Sequence, residues 1–475
     1  MEKEKKLAKN IVIFAIGSFS SKMLQFLLIP FYTRVLTNSE YGTIDILQSI
    51  ATLLIPIISL TISEAVFRYA MEESTDKKEI LSIGILSSFV NILIMSLIAI
   101  VIYRFTKYEY ILILVLYIST NIVRTILSQF TRAIGKVAIY TFDNVLNVFV
   151  TICANILFLT LLHQGINGYL LGYVVGNSIS IALLLISVKL YKYIRIKKFN
   201  FSTFKTMLKF SIPLIPNSIC WWITNFTDRI MITSSYGTGI NGIYAVSHKI
   251  PTIITIVVEV FFQAWQISAN KEFESKDISK FYSQVFKYLF SFVFIICAIL
   301  MSCCKIITKI VVGSEFLEAW YYMPTLLLGT AFFSLSQYLG SIYTASKNTK
   351  MAFVTNMTAA VLNIVLNVIL LKYVGPIGAA IATTICYIIL WIYRAINTRK
   401  VIKIEYEINK MLPTMILLLI NTIVITLELK WWYIYTNIIL LFIIGINFKN
   451  IIVFSNSVIK MVKEKIQQLK GKVEE

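Results

Sequence analysis

The sequence has little charge and few of the residues from which metal and catalytic sites are usually built. Only 14% of its 475 residues are Asp, Glu, Lys or Arg, and only two are His. A soluble domain carries about 25% charged residues. The six cysteines lie in or beside apolar segments, without metal-ligand or disulfide spacing, and no Gly-rich nucleotide loop with a lysine is found. A soluble enzyme that uses a metal or nucleotide cofactor is therefore not expected.

Long apolar runs take the place of these features. Hydrophobic residues make up 57% of the chain, and its mean hydropathy is +0.77. Runs of about 18–25 apolar residues are long enough to cross the membrane as helices. We therefore predict an all-α integral membrane protein with about 14 transmembrane helices: 9–32, 42–66, 80–103, 109–131, 138–162, 166–190, 208–233, 240–265, 284–304, 321–345, 352–373, 376–396, 411–428 and 431–454. Segment 305–320 is expected at the outer interface.

The distribution of Lys and Arg predicts the orientation. If the N-terminus lies in the cytoplasm, most of the 44 basic residues fall in cytoplasmic segments, which is the positive-inside pattern. Both termini are then cytoplasmic. The formal charge of +20 indicates membrane topology and contact with anionic membrane lipids, and nucleic acid is not expected as a partner.

Two approximate repeats indicate the domain organisation. The segment from Arg34 to Gly42 resembles the segment from Arg229 to Gly237, and the Gly-containing hairpin 165–168 resembles hairpin 375–378. Both pairs join equivalent helices in the same direction, which predicts two six-helix lobes related by a pseudo-two-fold axis along the membrane normal. The predicted parts are lobe 1–190, a basic cytoplasmic linker 191–207, lobe 208–400, two extra helices in 401–454, and a cytoplasmic tail 455–475.

Three blocks of sequence carry a resemblance to a known family. They are the stretch from Gly17 to Gly42 with Pro30-Phe-Tyr-Thr-Arg34, the stretch from Lys209 to Pro251 with Pro213-Leu-Ile-Pro216 and Asp228-Arg229, and the stretch from Leu362 to Ala382 with Asn363 and Asn367. They resemble Wzx-type polysaccharide flippases of the multidrug/oligosaccharidyl-lipid/polysaccharide exporter superfamily. Together these blocks are spread over most of residues 9–400.

The resemblance implies a function and a setting. It implies two six-helix bundles in a V around a hydrated cavity, in the bacterial cytoplasmic membrane. The implied substrate is an undecaprenyl-pyrophosphate-linked oligosaccharide repeat unit for O-antigen or capsule, moved from the cytoplasmic to the outer leaflet. A polysaccharide polymerase and a chain-length regulator are implied as partners. No cofactor is expected, although transport could be coupled to a proton or sodium gradient.

Four cations within the predicted spans are candidates for substrate binding: Lys22, Arg124, Arg229 and Lys249. A buried cation is costly in a membrane, at roughly 2.5–3.5 kcal/mol on insertion scales, so each needs a pathway or a partner. A cavity position would let these cations meet pyrophosphate and sugar, and for Lys22 and Lys249 it is also implied by a resemblance to related lipid II flippases. The alternative is a structural ion pair. Adjacent residues on a helix do not face each other, so Asp228 and Arg229 each need a different partner.

The acids and prolines leave further alternatives open. Glu64, Asp143, Asp228 and Glu259 are either ion-coupling groups or structural partners of the cations. Pro213 and Pro216 either form a hinge or simply begin a helix.

Three other functions compete with this interpretation. A drug exporter of the same superfamily would need a less basic cavity. A lipid II or sporulation-type flippase would differ mainly in substrate. A membrane-embedded glycosyltransferase would need catalytic carboxylates near large outer loops, whereas the outer loops here are short. The sequence therefore favours a transporter over an enzyme.

Overall fold

The computed structural model describes residues 19–272, 277–346 and 348–470, and its regular structure in these ranges is helical, without a strand. The helices are α1 (19–27), α2 (Ile29–Val35), α3 (Asn38–Ile58), α4 (Ile62–Ala70), α5 (Lys77–Thr106), α6 (Ile111–Ala133), α7 (Val137–Ile156), α8 (Gly165–Ser187), α9 (Phe201–Ser211), α10 (Ile215–Ser247), α11 (Thr252–Glu272), α12 (Ile278–Val311), α13 (Met323–Ala345), α14 (Thr349–Val374), α15 (Ile377–Asn397), α16 (Ile408–Thr426) and α17 (Trp432–Lys470).

Ten helical segments in the described ranges are long and apolar enough to cross a membrane. They lie in α3, α5, α6, α7, α8, α12, α14, α15, α16 and α17. Many of their large apolar side chains are exposed, as in α5, where Phe89 is 64% exposed and Leu97 58% exposed, and this suits contact with lipid tails. The predicted all-α membrane class is confirmed, whereas the count of fourteen spans stays a prediction.

Several helix boundaries differ from the predicted ones. The predicted helix 42–66 is divided between α3 and α4, because Leu60 and Thr61 adopt left-handed φ angles of 50° and 49°. The predicted break between residues 233 and 240 is a kink at Gly237, whose φ of 87° suits glycine. Predicted segment 305–320 is partly helical, because α12 continues to Val311 and a 3₁₀ helix spans Ser314–Tyr321.

The predicted helix 240–265 contains a break, and this break changes the predicted position of one site residue. Lys249 was expected within the helix, but it lies in a turn between α10, which ends at Ser247, and α11, which begins at Thr252. Pro251 in this turn has no backbone N–H to donate and disfavours helical geometry at the residue before it. The helix therefore stops before Lys249.

The chain divides into two compact units. The first contains Met1–Val246 and Val311–Leu317, and the second contains Ser247–Ile310 and Glu318–Glu475. This boundary does not coincide with the predicted linker 191–207. Met207 of α9 and Leu190 are buried in the same apolar core as Ile62 and Val66 of α4, so the basic connection is packed into the first unit.

In the second unit, α16 and α17 are attached to α12 by buried amides. Asn447 of α17 donates to Thr414 of α16 at 3.0 Å and accepts from Ser291 of α12 at 2.9 Å. Before α16, the Glu407 carboxylate contacts Lys410 at 3.0 Å and Lys287 at 3.3 Å. Burial raises the pKa of Glu407, but hydrogen bonds from Lys410, Asn450 and Lys287 outweigh it and hold that pKa below its ordinary value.

Candidate functional site

The first polar site joins α10 to α3. Arg229 Nη1 lies 2.5 Å from Asp45 Oδ1, and the two side chains are only 12% and 6% exposed. Asn241, farther along α10, donates to the other Asp45 oxygen at 3.4 Å and to the Gly42 carbonyl at 3.1 Å. Arg229 thus has an acidic partner, Asp45, that sequence reasoning missed.

Close backbone contact brings these groups together. A Cβ on Gly42 would lie 1.9 Å from the Thr238 carbonyl oxygen, and a Cβ on Gly242 would lie 1.9 Å from the Asn38 carbonyl oxygen. Only glycine therefore fits where α3 and α10 cross. Both glycines belong to the sequence blocks quoted for the family resemblance. Close packing at this crossing explains why glycine is found at these two positions.

Asp228 has a different partner from its neighbour in sequence. Its Oδ2 accepts a hydrogen bond from the buried Tyr244 hydroxyl at 2.7 Å, and its Oδ1 accepts from the backbone N–H of Arg229 at 2.9 Å. The expectation that Asp228 and Arg229 do not pair through their side chains agrees with this geometry. Asp228 and Arg229 therefore each contact a different residue of the first unit.

The second polar site lies among α6, α7 and α8. Arg124 Nη2 of α6 lies 2.9 Å from Asp143 Oδ2 and 2.8 Å from Asn144 Oδ1, both on α7. Arg124 Nε donates to Ser180 Oγ of α8 at 2.8 Å, and Ser180 in turn donates to Asp143. Asp143 is fully buried, whereas the Arg124 side chain is 15% exposed. Arg124 and Asp143 were both predicted as site residues, and the structure brings them together.

Further polar contacts follow the same face of α7. Asn147 donates to Asn177 of α8 at 3.2 Å, and Asn155 donates to the Tyr32 hydroxyl at 2.7 Å. From Asp143 to Asn155 these groups cover about 18 Å of helix at 1.5 Å per residue. Polar side chains therefore connect α7 to its neighbours over more than half of the hydrocarbon thickness.

The three helices of this site recur in the second unit. Helices α6, α7 and α8 begin at Ile111, Val137 and Gly165, and α13, α14 and α15 begin at Met323, Thr349 and Ile377. The spacing between successive helix starts is identical in the two sets, so the sets align without a gap at these starts. We call α6–α8 the first module and α13–α15 the second module. In each, the third helix packs against both others.

The second module contains a buried arginine that is not among the predicted site residues. Arg394 of α15 is 6% exposed. Its Nη2 donates to Asn356 at 2.8 Å and to Thr355 at 3.2 Å, and its Nη1 donates to the Ser336 carbonyl at 2.9 Å. Arg394 therefore connects all three helices of its module.

The two modules offer equivalent positions to their arginines. Alignment of the helix starts places Thr355 and Asn356 of α14 at the positions of Asp143 and Asn144 of α7. The arginines themselves are not equivalent, because one stands on the first helix of its module and the other on the third. The same two positions of the middle helix thus receive a guanidinium in both modules.

The remaining predicted site residues lie on different elements of the chain. Lys22 is partly buried on α1, Glu64 is exposed on α4, and Glu259 is exposed on α11. Pro213 lies in the 3₁₀ turn Ile212–Leu214, and Pro216 is the second residue of α10. These prolines stand at the start of a helix, and the hinge stays a prediction. Substrate contact by any of the four cations and ion coupling by the acids also stay predictions.

The first unit also contains a distant segment of the chain, residues 311–317. Glu315 accepts from the Asn38 backbone N–H at the start of α3 at 3.0 Å. Phe316 packs edge-on against Tyr41 with ring centroids 5.6 Å apart. Gly313 donates its N–H to Thr33 at 3.0 Å. This segment caps the beginning of α3, where a negative charge is favourable.

Comparison with known proteins identifies the family of this chain. A family model described as "Polysaccharide biosynthesis protein" matches residues 7–266. The chain belongs to this family. A curated relative, "Lsg locus putative protein 1" from Haemophilus influenzae, is 38% identical over 64 residues, which are 14% of this chain. The match spans 16% of that relative's own length.

Solved structures share the fold of this polysaccharide biosynthesis protein. "Lipid II flippase MurJ, inward closed conformation" matches with a TM-score of 0.71 and 18% identity, covering 94% of this chain and 100% of MurJ. An inward-facing multidrug resistance MATE family transporter of the MOP superfamily matches with a TM-score of 0.61 and 12% identity, over 82% and 98% of the two chains. The Vibrio cholerae MATE transporter VcmN in the bent form matches with a TM-score of 0.56 and 12% identity, over 84% and 98%.

These findings confirm the predicted resemblance to Wzx-type polysaccharide flippases. The chain is a multi-pass membrane protein with the fold of flippases and exporters. In its first unit, two buried arginine–aspartate pairs hold neighbouring helices together.

Proposed function

We propose that this protein is a flippase that moves undecaprenyl-pyrophosphate-linked oligosaccharide repeat units from the cytoplasmic to the outer leaflet by alternating access. It acts in surface polysaccharide biosynthesis at the bacterial cytoplasmic membrane, with both termini in the cytoplasm. It works as a transporter, and a polysaccharide polymerase and a chain-length regulator are the expected partners.

One pair of observations carries the proposal. The family consists of polysaccharide biosynthesis proteins, and MurJ, whose structure shares this fold, is a lipid II flippase. A polysaccharide precursor carried on a lipid fits both the family and the fold. The head of such a lipid cannot cross hydrocarbon without a polar path, because unsatisfied polar groups in lipid cost several kcal/mol each.

Lys22 is the cation proposed to meet the pyrophosphate. A resemblance to related lipid II flippases implies a cavity position for both Lys22 and Lys249. Lys22 is partly buried on α1. We place the first contact with the phosphates at Lys22, with Lys249 as a second candidate.

The cellular test is deletion followed by extraction of lipid-linked oligosaccharides. Loss of a flippase should leave complete repeat units on the cytoplasmic side, while surface polysaccharide disappears. If the deletion leaves surface polysaccharide and its lipid-linked precursors unchanged, the proposal is wrong. Increased retention of cationic dyes in that case would favour the drug exporter.

The residue-level test uses purified protein in vesicles that contain a lipid-linked oligosaccharide. Lys22→Glu should abolish translocation, because the reversed charge repels pyrophosphate, whereas Lys22→Arg should keep most of it. Lys107→Glu, which changes an exposed lysine after α5, is the matched control and should transport normally. Unchanged transport by Lys22→Glu would remove Lys22 from the binding site.

A further inference from the structure

A groove lies between α15 and α16 in the second unit. Its volume is about 260 Å³. The wall from α15 includes Ile392, Ala395 and Ile396, and the wall from α16 includes Met411 and Leu412. On both helices the lining residues recur every three or four positions, so each helix presents one continuous apolar face.

One end of the groove is polar. Arg399, in the 3₁₀ turn Thr398–Lys400 that follows α15, and Tyr406, just before α16, line that end. The guanidinium carbon of Arg399 lies 5.8 Å from the centre of the Tyr406 ring. Arg399 is exposed, and no carboxylate of the described residues forms a salt bridge with it.

The charge around this end is positive. Lys400 and Lys403 are exposed beside Arg399, and Glu405 is the one exposed acid between Arg399 and Tyr406. The other nearby acid, Glu407, is already paired with Lys287 and Lys410. This end is also the side predicted to be cytoplasmic, where anionic lipid headgroups attract basic residues.

We propose that this groove binds an anionic glycerophospholipid of the cytoplasmic leaflet, with its phosphate at Arg399 and the upper part of one acyl chain between α15 and α16. The groove is about 10–12 Å long at 1.5 Å per residue, and it is smaller than typical ligand pockets of about 300–1,000 Å³. It therefore holds the part of a chain nearest the headgroup, while the rest of the lipid stays in the bilayer. Ile396 and Leu412 are 63% and 55% exposed, which leaves the groove open to the membrane along its side.

Lipid binding in this groove does not depend on the substrate of the flippase. The groove lies within the second unit, and the recognition chemistry is that of a phosphate diester beside an apolar chain. A bound lipid would bridge α15 to α16, and so would link the second module to the two additional helices.

The test is lipid retention by the purified full-length protein, measured by native mass spectrometry in mixtures of phosphatidylglycerol and phosphatidylcholine. The native protein should retain one phosphatidylglycerol in preference to phosphatidylcholine. Arg399→Gln should weaken that retention about fivefold, the effect of about one basic group near an anionic lipid. Lys403→Gln is the matched control, because its side chain does not line the groove, and it should weaken retention less than twofold.

Two groove variants test the apolar part. Ala395→Phe should fill the groove and Ile396→Asn should make it polar, and both should reduce phosphatidylglycerol retention. Thermal unfolding without added lipid shows which variants are folded, and Ile396→Asn changes an exposed side chain and should leave folding intact. Equal effects of Arg399→Gln and Lys403→Gln, or unchanged retention in Ile396→Asn, would overturn the proposal. So would preferential retention of a polyprenyl phosphate when it is added to the same mixture.

Discussion

In both three-helix modules an arginine connects the helices, but the charge of its partners differs. In the first module, Arg124 reaches from α6 to Asp143 and Asn144 of α7. In the second, Arg394 reaches from α15 to Thr355 and Asn356 of α14. The arginine–asparagine bond has the same length in both, 2.8 Å. The arginine stands on the first helix of one module and on the third helix of the other.

The difference shows that both modules need an arginine that bridges their helices, whereas only the first module balances its charge. The first module neutralises its arginine with a fully buried aspartate. The second surrounds Arg394 with neutral oxygens from Ser336, Thr355 and Asn356, so it carries a buried positive charge. A guanidinium has five donors in a rigid fork, and it can hold three helices together with either kind of acceptor.

Removal of the buried acid of the first module should have the largest effect on stability. Asp143→Ala should lower the free energy of unfolding by about 3–5 kcal/mol, because it leaves Arg124 as an uncompensated buried charge. Equilibrium unfolding in detergent micelles measures this. The double variant Arg124→Met/Asp143→Leu should recover most of the loss, since apolar residues can replace a buried pair. Equal losses in the single and double variants would show that charge is not the cause.

Removing the arginine of the second module should have the next largest effect. Arg394→Met leaves buried oxygens without donors, and we expect a loss of about 3 kcal/mol, because hydrogen bonds to charged groups contribute about 1.5–3 kcal/mol each. Arg394→Lys should lose about half as much, since one ammonium cannot reach oxygens on all three helices. The same unfolding assay compares them, and a lysine variant as stable as the native protein would contradict the bridging role.

The fold class and some of the site residues could be predicted from the sequence. Hydropathy predicted the all-α membrane fold, and the cost of buried charge selected Arg124, Asp143, Asp228 and Arg229. It could not pair them, because the partners stand on different helices and are brought together by tertiary packing. Asp45, which pairs with Arg229, was missed because it lies one turn from the start of a predicted span, where acids are ordinary.

Arg394 was missed for a related reason. It lies in the last turn of a span and is followed by Arg399 and Lys400, so it has the sequence context of a side chain that reaches the cytoplasmic interface. The identical spacing of helix starts in the two modules is visible only in the structure, because the predicted helix starts do not share it. The predicted hairpin match aligned position 165 with 375, whereas the helix starts align it with 377. That error is large enough to prevent the alignment of single side chains.

A third prediction concerns side-chain size at another equivalent pair of positions, Gly172 and Thr384. A Cβ on Gly172 would lie 1.8 Å from Asn155 Oδ1, whereas Thr384 donates to the Thr325 carbonyl at 2.7 Å. Gly172→Ala should cost about 2 kcal/mol, within the range for overpacking. Thr384→Ala, the control, should lose about 1 kcal/mol for one hydrogen bond. An unfolding free energy unchanged by Gly172→Ala would mean that Asn155 can move away at no cost.

An acid added to the second module should remove the charge difference between the two modules. Thr355→Asp places a carboxylate at the position equivalent to Asp143, and we expect it to raise the free energy of unfolding by about 1 kcal/mol, since a buried cation gains a partner. In the Arg394→Met background the same substitution should destabilise, because the new carboxylate is then unpaired. A double-mutant cycle gives the coupling energy, and a coupling near zero would show that residue 355 does not face Arg394 as an acid.

The smallest effect should come from Ser336, which the alignment of helix starts places at the position of Arg124. Arg394 uses only the backbone carbonyl of Ser336, and the Ser336 hydroxyl is buried without a hydrogen-bond partner among the described residues. Ser336→Ala should therefore not lower the free energy of unfolding, because it removes a buried hydroxyl that has no hydrogen bond to lose. Ser180→Ala should cost about 1–3 kcal/mol, because Ser180 bonds both Arg124 and Asp143. If the two serines behaved alike under the same unfolding conditions, the first module would have no greater need of side-chain polar contacts than the second.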